Sequence, residues 1–98
     1  MTRREKICIA LEELGFEDVL MADGLDDAMI GISTNGIAVY DADKCVSVFA
    51  RDNACDPAEA EDYLSFNTFS AYVGEKTPIF LYDMDEAIRQ TVPTEPPE

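Results

Sequence analysis

The chain predicts an α+β domain: a small, mainly antiparallel sheet of three or four strands around a central β-hairpin, with helices packed on one face. Three observations predict it. Asn35-Gly36 separates two β-rich runs, so that a hairpin from Met29 to Tyr40 is the expected centre of the sheet. Helical periodicities opened by capping residues stand on both sides of that hairpin. A third short run, Ile79-Phe80-Leu81-Tyr82, is apolar and aromatic, as a strand beside the hairpin would be. With 98 residues the chain has room for one compact α+β domain, expected over residues 1–90. Pro93, Pro96 and Pro97 mark residues 91–98 as a flexible, acidic tail.

In chain order, Thr2 and Glu5 form a capping box. Ile7, Ala10, Leu11 and Leu14 then recur at helical spacing until Gly15 offers a C-terminal cap. The polar face of this helix begins basic (Arg3, Arg4, Lys6) and ends acidic (Glu12, Glu13), the wrong sense for the helix dipole. Val19, Leu20 and Met21 fit either a short strand or an extended connector, and Ala22-Asp23-Gly24 reads as a turn. After the hairpin, Asp41 or Asp43 caps a helix whose Cys45, Val48 and Phe49 share a face, ending near Arg51. Asp56-Pro57-Ala58-Glu59 combines a cap, a first-turn proline and a reciprocal Glu, and opens a helix with Ala60, Tyr63, Leu64 and Asn67 along one side. Residues 74–78 form a turn before the third strand, and Asp83 caps a last short helix carrying Met84, Ala87 and Ile88.

The charge on this scaffold is unevenly placed. From Ile7 to Asp43 there are nine carboxylates (Glu12, Glu13, Glu17, Asp18, Asp23, Asp26, Asp27, Asp41, Asp43) and no Lys or Arg. A second base-free stretch, residues 52–75, adds Asp52, Asp56, Glu59, Glu61, Asp62 and Glu75, and the formal charge is -14. Self-repulsion of this size opposes folding, so an acidic surface that persists invites a functional explanation. Disorder does not supply one, because 47% of the residues are hydrophobic and the chain carries four Tyr and five Phe.

Several function classes lack support. No apolar run approaches the roughly 20 residues of a membrane span, and the basic start leads into Glu12 and Glu13 rather than a signal-peptide core, so cytoplasmic residence is expected. Three cysteines without paired spacing and no histidine argue against a disulfide framework or a zinc site. Asp41, Asp43 and Asp52 have calcium-loop spacing, but Val46 stands where the loop needs glycine and Asp52 where it needs Glu. Asp83, Asp85 and Glu86 are what a helix N-terminus prefers. No His activates a Cys or Ser nucleophile, and no glycine loop cradles phosphate. A non-enzymatic protein with no cofactor and no metal is therefore expected. Asn67, set among aromatics in Phe66-Asn67-Thr68-Phe69, needs partners if buried, and loop backbone at residues 74–78 is the expected one.

Ala28-Met29-Ile30-Gly31, Val39-Tyr40-Asp41-x-Asp43-Lys44, the helix from Glu59 to Leu64, Phe66-Asn67 and the stretch from Ala71 to Phe80 together resemble a family of small, uncharacterised proteins encoded by phages, prophages and some bacteria. The resemblance covers a little over half the chain and implies a phage context, with no activity or catalytic residues attached. In that context the acid is similar in kind to that of anti-CRISPR and anti-restriction inhibitors, whose carboxylates imitate nucleic-acid phosphates. Residues three or four apart on a helix lie about 5 to 6 Å apart, comparable with phosphates along a strand. The expected partner-binding residues are Glu12, Glu13, Glu17, Asp18, Asp23, Asp26, Asp27, Glu59 and Asp62. The expected partner is a nucleic-acid-binding host defence protein or complex, with no direct binding of nucleic acid and no membrane. The alternative is a small structural or assembly module that forms a homodimer or larger homo-oligomer, its charge serving solubility.

Overall fold

The structure, a computed structural model, describes residues 1–93. The first helix, α1 (Arg3–Leu14), has the expected capping box: Glu5 N–H bonds to the Thr2 hydroxyl, Thr2 N–H bonds to the Glu5 carboxylate, and Gly15 closes the helix in the left-handed conformation. Its apolar stripe is only partly used. Leu11 is buried and Ile7 half-buried, whereas Ala10 and Leu14, expected on the same inward face, are exposed. The reason is that α1 packs on the 3-10 turn Asp26–Ala28 and leaves an open apolar groove of about 370 Å³ between itself and the first strand.

Residues 16–25 form no strand but an irregular connector, bent where Asp18 takes a positive φ of 54°. Val19, Met21 and Ala22 nonetheless pack on the core, and Ala22 N–H donates to the Tyr40 hydroxyl at 2.8 Å. The hairpin follows as β1 (Met29–Ile32) and β2 (Ala38–Asp41), antiparallel, with a register irregularity between Met29 and Gly31. Its loop differs from the two-residue turn in which Asn35 and Gly36 both take positive φ. Only Gly36 does (83°), closing a Ser33 to Gly36 turn, and the Ser33 hydroxyl holds the Ile37 N–H. Space around Gly36 is also tight, since a Cβ there would meet Lys76 Nζ at 3.1 Å and the Phe16 ring at 3.3 Å.

Asp41 accepts the Lys44 N–H and caps α2 (Ala42–Asn53), and Asp56 accepts the Glu59 N–H and caps α3 (Pro57–Leu64). The chain then winds one turn as a π-helix, Ser65–Phe69, before the third strand β3 (Ile79–Leu81) and the helix α4 (Met84–Thr91), capped by Asp83. The α+β class is as expected, but the sheet, ordered β1-β2-β3, is mixed where a mainly antiparallel one was expected: β3 runs parallel to β2, Val39 opposite Ile79. A crossover explains this. The intervening chain is long enough to hold two helices, which carry it back to the starting end of β2. Thr91 closes α4 rather than opening the expected tail, and residues 94–98 of that tail lie outside the described residues.

The core forms where one sheet face meets α2 and α3. Met29, Ala38 and Tyr40 from the hairpin meet Cys45, Val48 and Leu64, with Leu25 and Ala28 closing one end. Alternation along β2 puts Ala38 and Tyr40 on this face and the half-buried Val39 on the other. Tyr40 is fully buried, stacks on Phe80 at 5.4 Å, and satisfies its hydroxyl through Ala22. Burial pushes the Tyr40 hydroxyl pKa up.

Candidate functional site

The carboxylates separate into two kinds once the chain is folded. Asp26 and Asp27, base-free by sequence, are neutralised in space: Arg4 of α1 meets Asp26 at 2.9 Å and Arg51 of α2 meets Asp27 at 3.1 Å. Arg3 adds bonds to the backbone carbonyls of Asp26 (3.1 Å) and Met29 (2.8 Å), so the N-terminal cations strap α1 to this turn. The Asp26 hydrogen bond raises the Arg4 guanidinium pKa, and Arg51 is raised in the same way, by Asp52 first and Asp27 second. Two of the nine expected partner-binding residues are thus paired within the fold.

Glu12, Glu13, Glu17, Asp18, Glu59 and Asp62 are exposed, and among the described residues none is in an ion pair. They form two sets. Glu12, Glu13, Glu17 and Asp18 end α1 and open the connector, while Glu59 and Asp62, with Glu61, lie on α3. In the first set Glu12 and Glu13 belong to a helix packed on the Asp26–Ala28 turn and Glu17 and Asp18 to the connector after it, while the second set belongs to a helix packed on α2 and the π-helical turn.

Asp23, the remaining expected residue, lies elsewhere, at a cleft of about 570 Å³. Four separate segments build it: the connector (Leu20 to Leu25), the last turns of α2 (Phe49, Asp52, Asn53), the α3 and π-helical segment (Tyr63, Leu64, Asn67, Thr68) and the loop before β3 (Ala71, Val73, Thr77, Pro78), with Phe80 of β3. Phe49 and Tyr63 stack at 4.7 Å along one side, and Phe69 and Phe80 at 5.0 Å nearby. Asn67 does not bond the loop at residues 74–78 as expected. It remains exposed, and its Nδ2 donates to the Tyr63 carbonyl at 3.0 Å. The loop ties itself instead, with Thr77 Oγ1 donating to the Gly74 carbonyl at 2.6 Å and accepting from Val73 N–H at 2.9 Å. A π-turn is a feature that often accompanies functional sites. The sequence singled out Asn67 and the loop, but nothing in it showed that Asp23, Asp52 and Asn53 would join them.

Other chemistry is limited. Cys45 is buried, and burial followed by the nearby Asp41 charge pushes its thiol up to about 12, far from a reactive thiolate. Among the described residues no three Cys, Asp or Glu side chains converge as a metal site, and no helix is long and apolar enough to cross a membrane. Comparison with protein-family models, curated proteins and solved structures gives no match to this chain.

Proposed function

We propose that this protein is a non-enzymatic inhibitor of phage type that binds, through its carboxylates, a basic nucleic-acid-binding surface of a host defence protein, acting inside the host cell. The observation that carries this reading is the set of six exposed carboxylates, Glu12, Glu13, Glu17, Asp18, Glu59 and Asp62, left without an ion pair among the described residues. Three of the arginines are engaged elsewhere, Arg4 on Asp26, Arg51 on Asp27 and Asp52, and Arg89 on Glu86. A groove shaped to hold phosphates would draw such a surface in quickly and release it as salt rises. The resemblance of residues 28–80 to phage-encoded proteins supplies the biological setting.

The test is capture from a host lysate by the native protein and by a variant with the four Glu changed to Gln and the two Asp to Asn, leaving Asp26 and Asp27 in place. Native protein is expected to retain a partner that duplex DNA or structured RNA displaces, and the variant to lose it. Recovery of the same partner by both, or indifference to nucleic acid, would overturn the reading.

One observation favours a second reading, a self-associating assembly module. Phe66 (84%) and Tyr72 (78%) are largely exposed. Mass measurement by light scattering separates the two, since a stable dimer that dissociates on changing Phe66 and Tyr72 to Ser would support assembly.

A further inference from the structure

We infer that the cleft between the connector, α2 and α3 is a binding site for a small organic cation with an apolar body, a primary amine or guanidinium carrying an alkyl or aromatic group. Its volume of about 570 Å³ is that of a ligand site, and its walls are mostly apolar and aromatic, with Phe49 stacked on Tyr63. The polar groups along it are one-sided. Asp23 contributes a carboxylate without an ion pair among the described residues, Asp52 contributes one that shares an oxygen with Arg51 at 2.9 Å, and no Lys or Arg lines the cleft itself.

The two amides in the lining have the same bias. Asn53 Nδ2 donates to the Phe49 carbonyl and Asn67 Nδ2 to the Tyr63 carbonyl, each at 3.0 Å. A backbone carbonyl only accepts, so in both residues the NH2 group faces its own helix, and among the described residues neither amide oxygen accepts a hydrogen bond. Thr77 is already committed to Gly74 and Val73. The groups left for a ligand are therefore acceptors: the two amide oxygens, the Asp23 carboxylate and the Asp52 oxygen that Arg51 does not hold. Asn53 and Asn67 also sit where α2 and the α3 and π-helical segment end, and helix C-termini carry partial negative charge. Aromatic faces add further attraction for a cation. An anionic ligand would find no cation in the lining, and a neutral one would leave the Asp23 carboxylate unanswered. This site needs no protein partner and stands independently of the acidic-surface reading.

Titration of the 15N-labelled protein with phenethylamine tests it, against 2-phenylethanol as a neutral match and phenylacetate as an anionic one. Phenethylamine is expected to shift the amide signals of Asn67, Thr68, Val73 and Thr77 to saturation. Asp23→Asn and Asp52→Asn, changes at exposed positions, are expected to weaken it about tenfold together. Glu59→Gln with Glu61→Gln, which removes as much charge outside the cleft, should leave the affinity within about twofold. Absence of saturation, equal binding of the alcohol or the acid, or equal losses from the two pairs of substitutions would overturn the proposal.

Discussion

Asp41 and Asp83 cap their helices in the same way, each accepting a backbone N–H from three residues on at 3.0 Å. Behind Asp41, α2 buries Ala42, Cys45 and Val48. Behind Asp83, α4 buries nothing, although Met84, Ala87 and Ile88 give it an apolar side. Met84 is 65% exposed and Ile88 52%. Local signals therefore decide where a helix lies, while burial decides what it contributes. The first helix falls between these cases, with one buried residue, Leu11, and arginine contacts to the Asp26–Ala28 turn.

The largest contrast is expected from truncating apolar side chains. Leu64→Ala, at a position 1% exposed, should cost about 2 to 5 kcal/mol in urea unfolding, and Ile88→Ala no more than about 0.5 kcal/mol. Equal losses would mean that α4 is packed as tightly as α3. Removing the caps comes next. Asp41→Ala should lower stability by about 2 kcal/mol because its carboxylate is also buried, and Asp83→Ala by about 0.5 kcal/mol, both followed by thermal unfolding.

Cysteine chemistry draws the same line. Exposed Cys8 on α1 should react with a thiol reagent in the native protein, and buried Cys45 on α2 only on unfolding. Because the folded Cys45 pKa lies above its ordinary value of 9.0, the stability linked to this thiol is complete below that pH and declines as pH rises toward about 12. Urea unfolding at increasing pH would show the decline, and its absence in Cys45→Ala would assign it.

The strap on α1 has a smaller effect. Arg4→Ala or Asp26→Asn should each cost about 0.5 kcal/mol, less in high salt, and a double-mutant cycle would isolate the coupling. Smallest of all is the acid limb on α4. Arg89, and then Gln90, hold the Glu86 pKa below its ordinary 4.5, so that contribution is present above 4.5 and disappears as pH falls through the lowered value. Arg89→Ala should remove the larger part of it from the pH profile of helix content, with the Gln90 hydrogen bond left in place.

Elements governed by neighbours in sequence were legible. Thr2, Asp56 and Asp83 each cap the helix expected of them, Asp41 rather than Asp43 caps α2, and Gly15 ends α1. What depended on distant chain was not. The hairpin loop is set by the Ser33 hydroxyl as much as by Asn35-Gly36, and the parallel pairing of β3 follows from the route through α2 and α3. Leu14 has the right spacing for burial but faces the open groove beside β1. Among the carboxylates, the run from Glu12 to Asp27 looked uniform because Arg4 and Arg51 lie more than twenty residues from the aspartates they reach. The cleft was half visible, through Asn67 and the loop at residues 74–78, since amide and turn chemistry is local. Asp23 and Asp52 reach it only through tertiary packing.

The pairing of Val39 with Ile79 also has a consequence in time. As the chain leaves the ribosome, β1 and β2 are available early and can close on one another, but a two-stranded hairpin alone is marginal in water. Its third strand is made only after α2, α3 and the loop that walls the cleft. Phe80 belongs both to that strand and to the cleft lining. Completion of the sheet and completion of the cleft are therefore one late event in the life of each new chain, and a nascent chain arrested before Ile79 would have neither.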